Sequence, residues 1–257
     1  MRIGVCTSPE NVARAVDGLS FVEPTVAGLL CPAEKEAVFA ERLAAAKAAA
    51  VPVEAVNCLL PGGLKTTGPE VDFEAVAAYI EVVCRRARQV GAEMIVFGSG
   101  GSRRVPEGFD RGRASAQLVE HLKRWGPIAA EHDVIFVVEP LNKAETNIVN
   151  TVDEGAELTR RADHPNVRLL ADTYHMARDD DPAEAIRRAG ELIVHVHCAE
   201  AVGRVPVGFG REDHRPYFRA LKDIGYDGRV AIEANWKDFP KELPKAVTEL
   251  REQIESA

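Results

Sequence analysis

Five cysteines (Cys6, Cys31, Cys58, Cys84 and Cys198) are too few, odd in number and too scattered for a disulfide framework, and none stands in CxxC spacing. That scatter also excludes a thiolate-rich structural zinc site, and it makes a reducing cytoplasm the expected setting. Positive charge is in deficit, with 32 Lys and Arg against 40 Asp and Glu for a formal net charge of -8. Such a field repels phosphate backbones, so no nucleic-acid partner is expected. Long apolar runs are missing as well. The most uniform one, Leu43 to Val53, is broken by Lys47 and Pro52 and falls short of the roughly 20 residues a membrane span needs. The amino terminus has neither the apolar region nor the cleavage site of a secretory signal and reads as a first strand. No linker rich in Gly, Pro and Ser divides the chain, so residues 1–257 are expected to form a single domain.

What remains is an ordinary globular composition, 46% hydrophobic and 28% charged, arranged in a regular alternation. Short runs rich in β-branched residues recur, each followed by helical periodicity, the pattern of parallel βα units. The strands read are Ile3–Thr7, Val22–Ala27, Val53–Cys58, Met94–Phe97, Val134–Glu139, Val167–Asp172, Ile193–Cys198 and Arg229–Glu233. Between the third and fourth, Phe73, Val76, Ile80, Val83, Ala87 and Val90 advance by three and four residues and share one helical face. Eight units without a break predict an α/β fold of the closed (β/α)8 TIM barrel type.

In such a barrel, chemistry gathers where strands end. The last four strands each close on a ligand-type residue: Glu139, Asp172, His197 and Glu233. Adjacent strands lie about 4.8 Å apart, so four side chains leaning over one end can converge on one ion. Three carboxylates and an imidazole form a hard, oxygen-rich set that favours Mn2+, with Mg2+, Co2+ or Zn2+ as alternatives. A single carboxylate at a strand end is more often a helix cap or an ion-pair partner; four at equivalent positions shift the balance to function. His195 and His197 face the same way, and the later one, nearer the carboxyl end, is assigned to the metal, with His195 in a supporting place. His175 is placed to donate to a substrate oxygen, against a bland reading as a surface-loop histidine. Arg204 can clamp a hydroxyl, carboxylate or phosphate, against an ordinary ion pair. The loop Gly98-Ser-Gly-Gly-Ser-Arg-Arg104 reads as a tight turn with solvated arginines, and Asp179-Asp180-Asp181 before Pro182 as a helix start.

These segments resemble the xylose-isomerase-like sugar (phosphate) isomerase and epimerase superfamily, particularly its tagatose 3-epimerase and hydroxypyruvate isomerase branches. Glu139-Pro-Leu-Asn-Lys-Ala-Glu145 is similar to the family's EPLNxxE, Asp172-Thr-Tyr-His175-Met to its DTxHM, His195-Val-His197 with Arg204-Val-Pro206 to its seventh-strand segment, and Glu233 to its closing glutamate. The resemblance covers the carboxyl-terminal half; the first half shares only the βα rhythm. It implies one divalent metal on Glu139, Asp172, His197 and Glu233, an acid/base pair of Glu139 and Glu233, and substrate contacts from Glu145, His175 and Arg204. It further implies a small ketose, sugar phosphate or hydroxy-carbonyl substrate processed through an enediolate, and it is compatible with a homo-oligomer. Two alternatives stand beside that reading: a dehydratase of a cyclic polyol or keto acid, and a non-catalytic sugar-binding barrel. An apurinic endonuclease, which shares the superfamily, would draw histidines from early strands, and the first four strands here offer none.

Overall fold

The computed structural model describes residues 1–257. Eight parallel strands follow one another as β1 Arg2–Val5, β2 Leu19–Val22, β3 Ala55–Val56, β4 Met94–Phe97, β5 Ile135–Val138, β6 Val167–Asp172, β7 Ile193–Cys198 and β8 Arg229–Ile232. The helices are α1 Glu36–Ala48, α2 Phe73–Val90, α3 Gly100–Arg103, α4 Arg111–Glu131, α5 Val152–Ala162, α6 Thr173–Arg178, α7 Glu184–Ala189, α8 Arg215–Asp223 and α9 Phe239–Ser256. Hydrogen-bonded neighbours run β2-β1-β8-β7-β6-β5-β4-β3. The gap between β2 and β3 is crossed by two isolated parallel bridges, Val22 with Val53 and Thr25 with Asn57. The result is a nearly closed TIM barrel with helices between its strands.

The first half departs from the sequence reading at that seam. The second strand ends at Val22 rather than spanning Val22–Ala27, and the third holds only Ala55–Val56. Pro24 sits inside the expected second strand and Pro52 immediately before the expected third, and neither can donate to a ladder. Their carbonyls still accept, from Asn57 N at 3.1 Å and Val22 N at 2.9 Å, and Val26 N donates to Asn57 O at 2.8 Å. After Pro24 the chain coils into a π-helical turn over Val26–Leu30.

Apolar packing follows the strand alternation. Ile95 and Phe97 of β4 and Phe136 of β5 join the main core beneath the helices, where Trp125 of α4 lies 5.0 Å edge-on from Phe97 and 5.5 Å from Phe136. Met94, Val96, Val137 and Leu170 form a separate small cluster. Continuing that second set toward the carboxyl ends brings Glu139, two residues after Val137 and just beyond β5, and Asp172, two after Leu170 and the last residue of β6, onto the same side. The predicted face of α2 is buried from Val76 to Val90, with Asp72 accepting from Glu74 N and Ala75 N as its amino-terminal cap. No helix is long and apolar enough to cross a membrane.

Candidate metal and active site

Strand register brings the late-strand acids together. Asp172 pairs directly with His197 across β6 and β7. Glu233 N donates to Cys198 O at 3.1 Å, and Glu139 N to Phe97 O at 3.2 Å, carrying the β7–β8 and β4–β5 ladders one residue past the strands. Ligand atoms of Glu139, Asp172, His197 and Glu233 then all lie within 4.8 Å of one another. His197 Nδ1 stands 3.1 Å from Glu139 Oε1 and 3.3 Å from Glu233 Oε2.

Each carboxylate is held in a different way. Asp172 caps α6, its Oδ1 accepting from Tyr174 N at 2.8 Å, while its buried Oδ2 has no hydrogen-bond partner. Glu139 is framed by glycine: a Cβ on Gly98 would fall 2.1 Å from Glu139 Oε2. Glu233 is tied to Arg204, whose Nη2 donates to Oε2 at 2.6 Å and whose Nε donates to the Glu233 carbonyl at 3.2 Å. Burial pushes the carboxyl groups of Glu139 and Asp172 above their ordinary range. Burial also acts on Glu233, but His197 and Arg204 outweigh it and hold that group low. The donor set fits a divalent cation. A buried oxygen without a partner and an imidazole nitrogen faced by two carboxylates form a concentration of negative charge that such an ion would neutralise.

The three expected substrate contacts lie around this cage. His175 sits in the first turn of α6 rather than on a loop, fully buried; its Nδ1 accepts from Asn142 N at 3.1 Å and Asn142 Nδ2 at 2.8 Å. With Nδ1 occupied as acceptor, the proton of the neutral ring belongs on Nε2, 3.4 Å from Asp172 Oδ2. Burial lowers the pKa of His175 and favours that neutral form. Arg204 lies 4.4 Å over the Tyr174 ring and 3.6 Å from Glu145 Oε1. Glu145 is the most exposed of the set and also accepts from Asn142 Nδ2 at 3.1 Å. A cavity of about 260 Å3 opens here, lined by Gly98, Glu139, Glu145, His175, Arg204 and Glu233. A second of about 410 Å3, on the β1–β3 side, shares Asn57, Cys58 and Glu233 with it.

Two residues escaped the sequence reading. Glu23, entirely buried, follows β2 and bonds to both strand-seven histidines: its Oε2 lies 2.7 Å from His195 Nε2 and its Oε1 2.8 Å from His197 Nε2. The signal was present, because Val22-Glu23-Pro24 repeats the Val138-Glu139-Pro140 pattern at a strand end. Arg103 is the second, and it corrects the expectation of a solvated arginine. It is wholly buried, donating to Phe97 O at 3.1 Å and Glu139 O at 2.5 Å. Strand-end carbonyls inside a protein need donors, and a planar guanidinium reaches two at once. The triple-aspartate run likewise serves neighbours, Asp181 Oδ2 accepting from Val152 N at 2.8 Å and Asp179 Oδ2 from Lys143 N at 2.8 Å.

An α/β barrel carrying three carboxylates and an imidazole at the carboxyl ends of its last strands belongs to a recognisable class. The family model described as the xylose isomerase-like TIM barrel matches residues 11–256, and the chain belongs to that family. It is 38% identical to D-psicose 3-epimerase of Ruminiclostridium cellulolyticum over 116 residues, a match that spans 45% of this chain and 39% of that protein. A probable ketose 3-epimerase of Synechocystis is 31% identical over 201 residues, spanning 74% and 67%. Among solved structures, D-psicose 3-epimerase of Clostridium cellulolyticum with D-tagatose superposes with a TM-score of 0.81 at 22% identity, covering 98% of both chains. That likeness concerns the fold.

Proposed function

We propose that residues 1–257 act as one domain and form a divalent-metal-dependent epimerase or isomerase of small ketoses or related hydroxy-carbonyl compounds. The observation that carries this reading is the convergence of Glu139, Asp172, His197 and Glu233 with the Asp172 Oδ2 oxygen left unpartnered. The names of the relatives support the substrate class. Those four residues would hold the ion, Mn2+ by preference for an oxygen-rich set, with Mg2+, Co2+ or Zn2+ also accommodated. A bound divalent ion supplies the positive charge that stabilises an enediolate.

The chain's own groups do the rest. One of Glu139 and Glu233 removes the proton from the carbon beside the carbonyl. The other returns a proton to the opposite face, which inverts the centre, or to the neighbouring carbon, which isomerises. Arg204 keeps Glu233 ionised and oriented by its two bonds to that residue. His175 offers its Nε2 proton to a substrate oxygen, and Glu145 accepts from a substrate hydroxyl. The test is deuterium uptake from D2O by ketoses, hydroxypyruvate and their phosphates, with metal-stripped protein before and after adding Mn2+. Metal-dependent exchange that Glu139→Gln and Glu233→Gln abolish is the expected result. Bound metal with no exchange on any compound would instead favour a dehydratase or a binding barrel.

A further inference from the structure

We infer that Glu23 is a positioning residue that decides which nitrogen of His197 faces the metal cage, with His195 as its second anchor; the assignment rests on the metal reading proposed above. An ionised carboxylate can only accept, so each imidazole that bonds to Glu23 must direct an N–H toward it. Both do so through Nε2, at 2.7 Å from His195 and 2.8 Å from His197. With its proton on Nε2, the ring of His197 presents its lone pair at Nδ1. That is the nitrogen 3.1 Å from Glu139 Oε1 and 3.3 Å from Glu233 Oε2. A carboxylate behind a ligating histidine fixes its tautomer and raises its basicity.

The layer beneath the cage is built to hold this carboxylate. Glu23 and both histidines are entirely buried, so no water replaces either bond. His195 leaves its Nδ1 without a partner, a cost that brings only one polar return, the donor it supplies to the second oxygen of Glu23. The Phe21 ring lies 6.2 Å from the His195 ring, and it fits there because position 4 is glycine: a Cβ on Gly4 would fall 2.3 Å from the Phe21 ring. Strand β1, strand β2 and strand β7 therefore all contribute to orienting one ligand nitrogen. The first half of the barrel thus supplies Glu23 behind the ligand histidine as well as Gly98 and Arg103 around Glu139.

Long-range 15N–1H NMR of histidine-labelled protein loaded with Zn2+ tests this without any substitution. The unaltered protein must show His197 protonated at Nε2 and ion-bound at Nδ1; the reverse assignment overturns the inference. Glu23→Gln keeps the shape but cannot accept from both rings. It should weaken Zn2+ binding about 10- to 100-fold in a chelator competition and mix the His197 tautomers. Unchanged affinity with an unchanged tautomer in folded Glu23→Gln also overturns it. Failure of the unaltered protein to bind Zn2+ or Mn2+ removes the metal reading itself and this assignment with it, a result distinct from either of the others.

Discussion

Replacing Arg103 by methionine removes a wholly buried charge beside the site. The guanidinium makes bonds to Phe97 O at 3.1 Å and Glu139 O at 2.5 Å, and a longer one to Val149 O at 3.4 Å. Burial lowers its pKa to about 10, so it stays protonated at neutral pH. Each charge-assisted bond contributes about 1.5–3 kcal/mol net. The two short ones therefore supply about 3–6 kcal/mol, against which the unpartnered Nε and the desolvated charge must be set. A net loss of about 3 kcal/mol in Arg103→Met is expected, seen as a lower urea midpoint with unchanged slope. It corresponds to a Tm drop of roughly 6–12 °C for a chain of this size. Arg103→Lys should recover little, because a compact ammonium cannot reach both carbonyls in the geometry of the planar fork. Since one of those carbonyls belongs to Glu139, metal affinity should fall in step. Stability of Arg103→Met within about 1 kcal/mol of the unaltered protein would refute the reasoning and show that desolvation cancels the bonds.

Gly98→Ala should displace the Glu139 carboxylate, whose Oε2 lies 2.1 Å from where the new methyl would stand; calorimetric Mn2+ affinity is expected to drop at least about 10-fold with the fold intact by circular dichroism. His121 is buried between Phe73 at 4.4 Å and Trp125 at 5.4 Å, and burial, with Arg124 adding to it, depresses its pKa to about 4. A histidine depressed in the folded state stabilises fully above its unfolded value near 6.5, and that contribution disappears as pH falls toward 4. It amounts to up to about 3 kcal/mol at 1.4 kcal/mol per tenfold. Denaturant midpoints of His121→Phe should therefore change less between pH 6.5 and 4 than those of the unaltered protein, and parallel curves would contradict this.

The late strands were legible because their information is local. Met94–Phe97, Val167–Asp172 and Ile193–Cys198 are β-branched runs with no proline, and their observed bounds are those expected. Polar residues closing such runs stand out against them, which is how Glu139, Asp172, His197 and Glu233 were selected. The β2–β3 seam was not legible, because its pairing runs through proline carbonyls rather than a ladder. Reading Val22–Ala27 as a strand placed Glu23 in its interior instead of at a strand end, and so hid it. Arg103 was misread for a related reason: the carbonyls it satisfies lie on β4 and beyond β5, and only the folded chain brings them to it.

The most direct test of the four-residue cage counts ions. Metal-stripped protein titrated with Mn2+ should bind one ion per chain, and Asp172→Asn and His197→Ala should each abolish that binding while leaving the protein folded. Absence of binding, or one tight ion retained in both variants, would contradict the account.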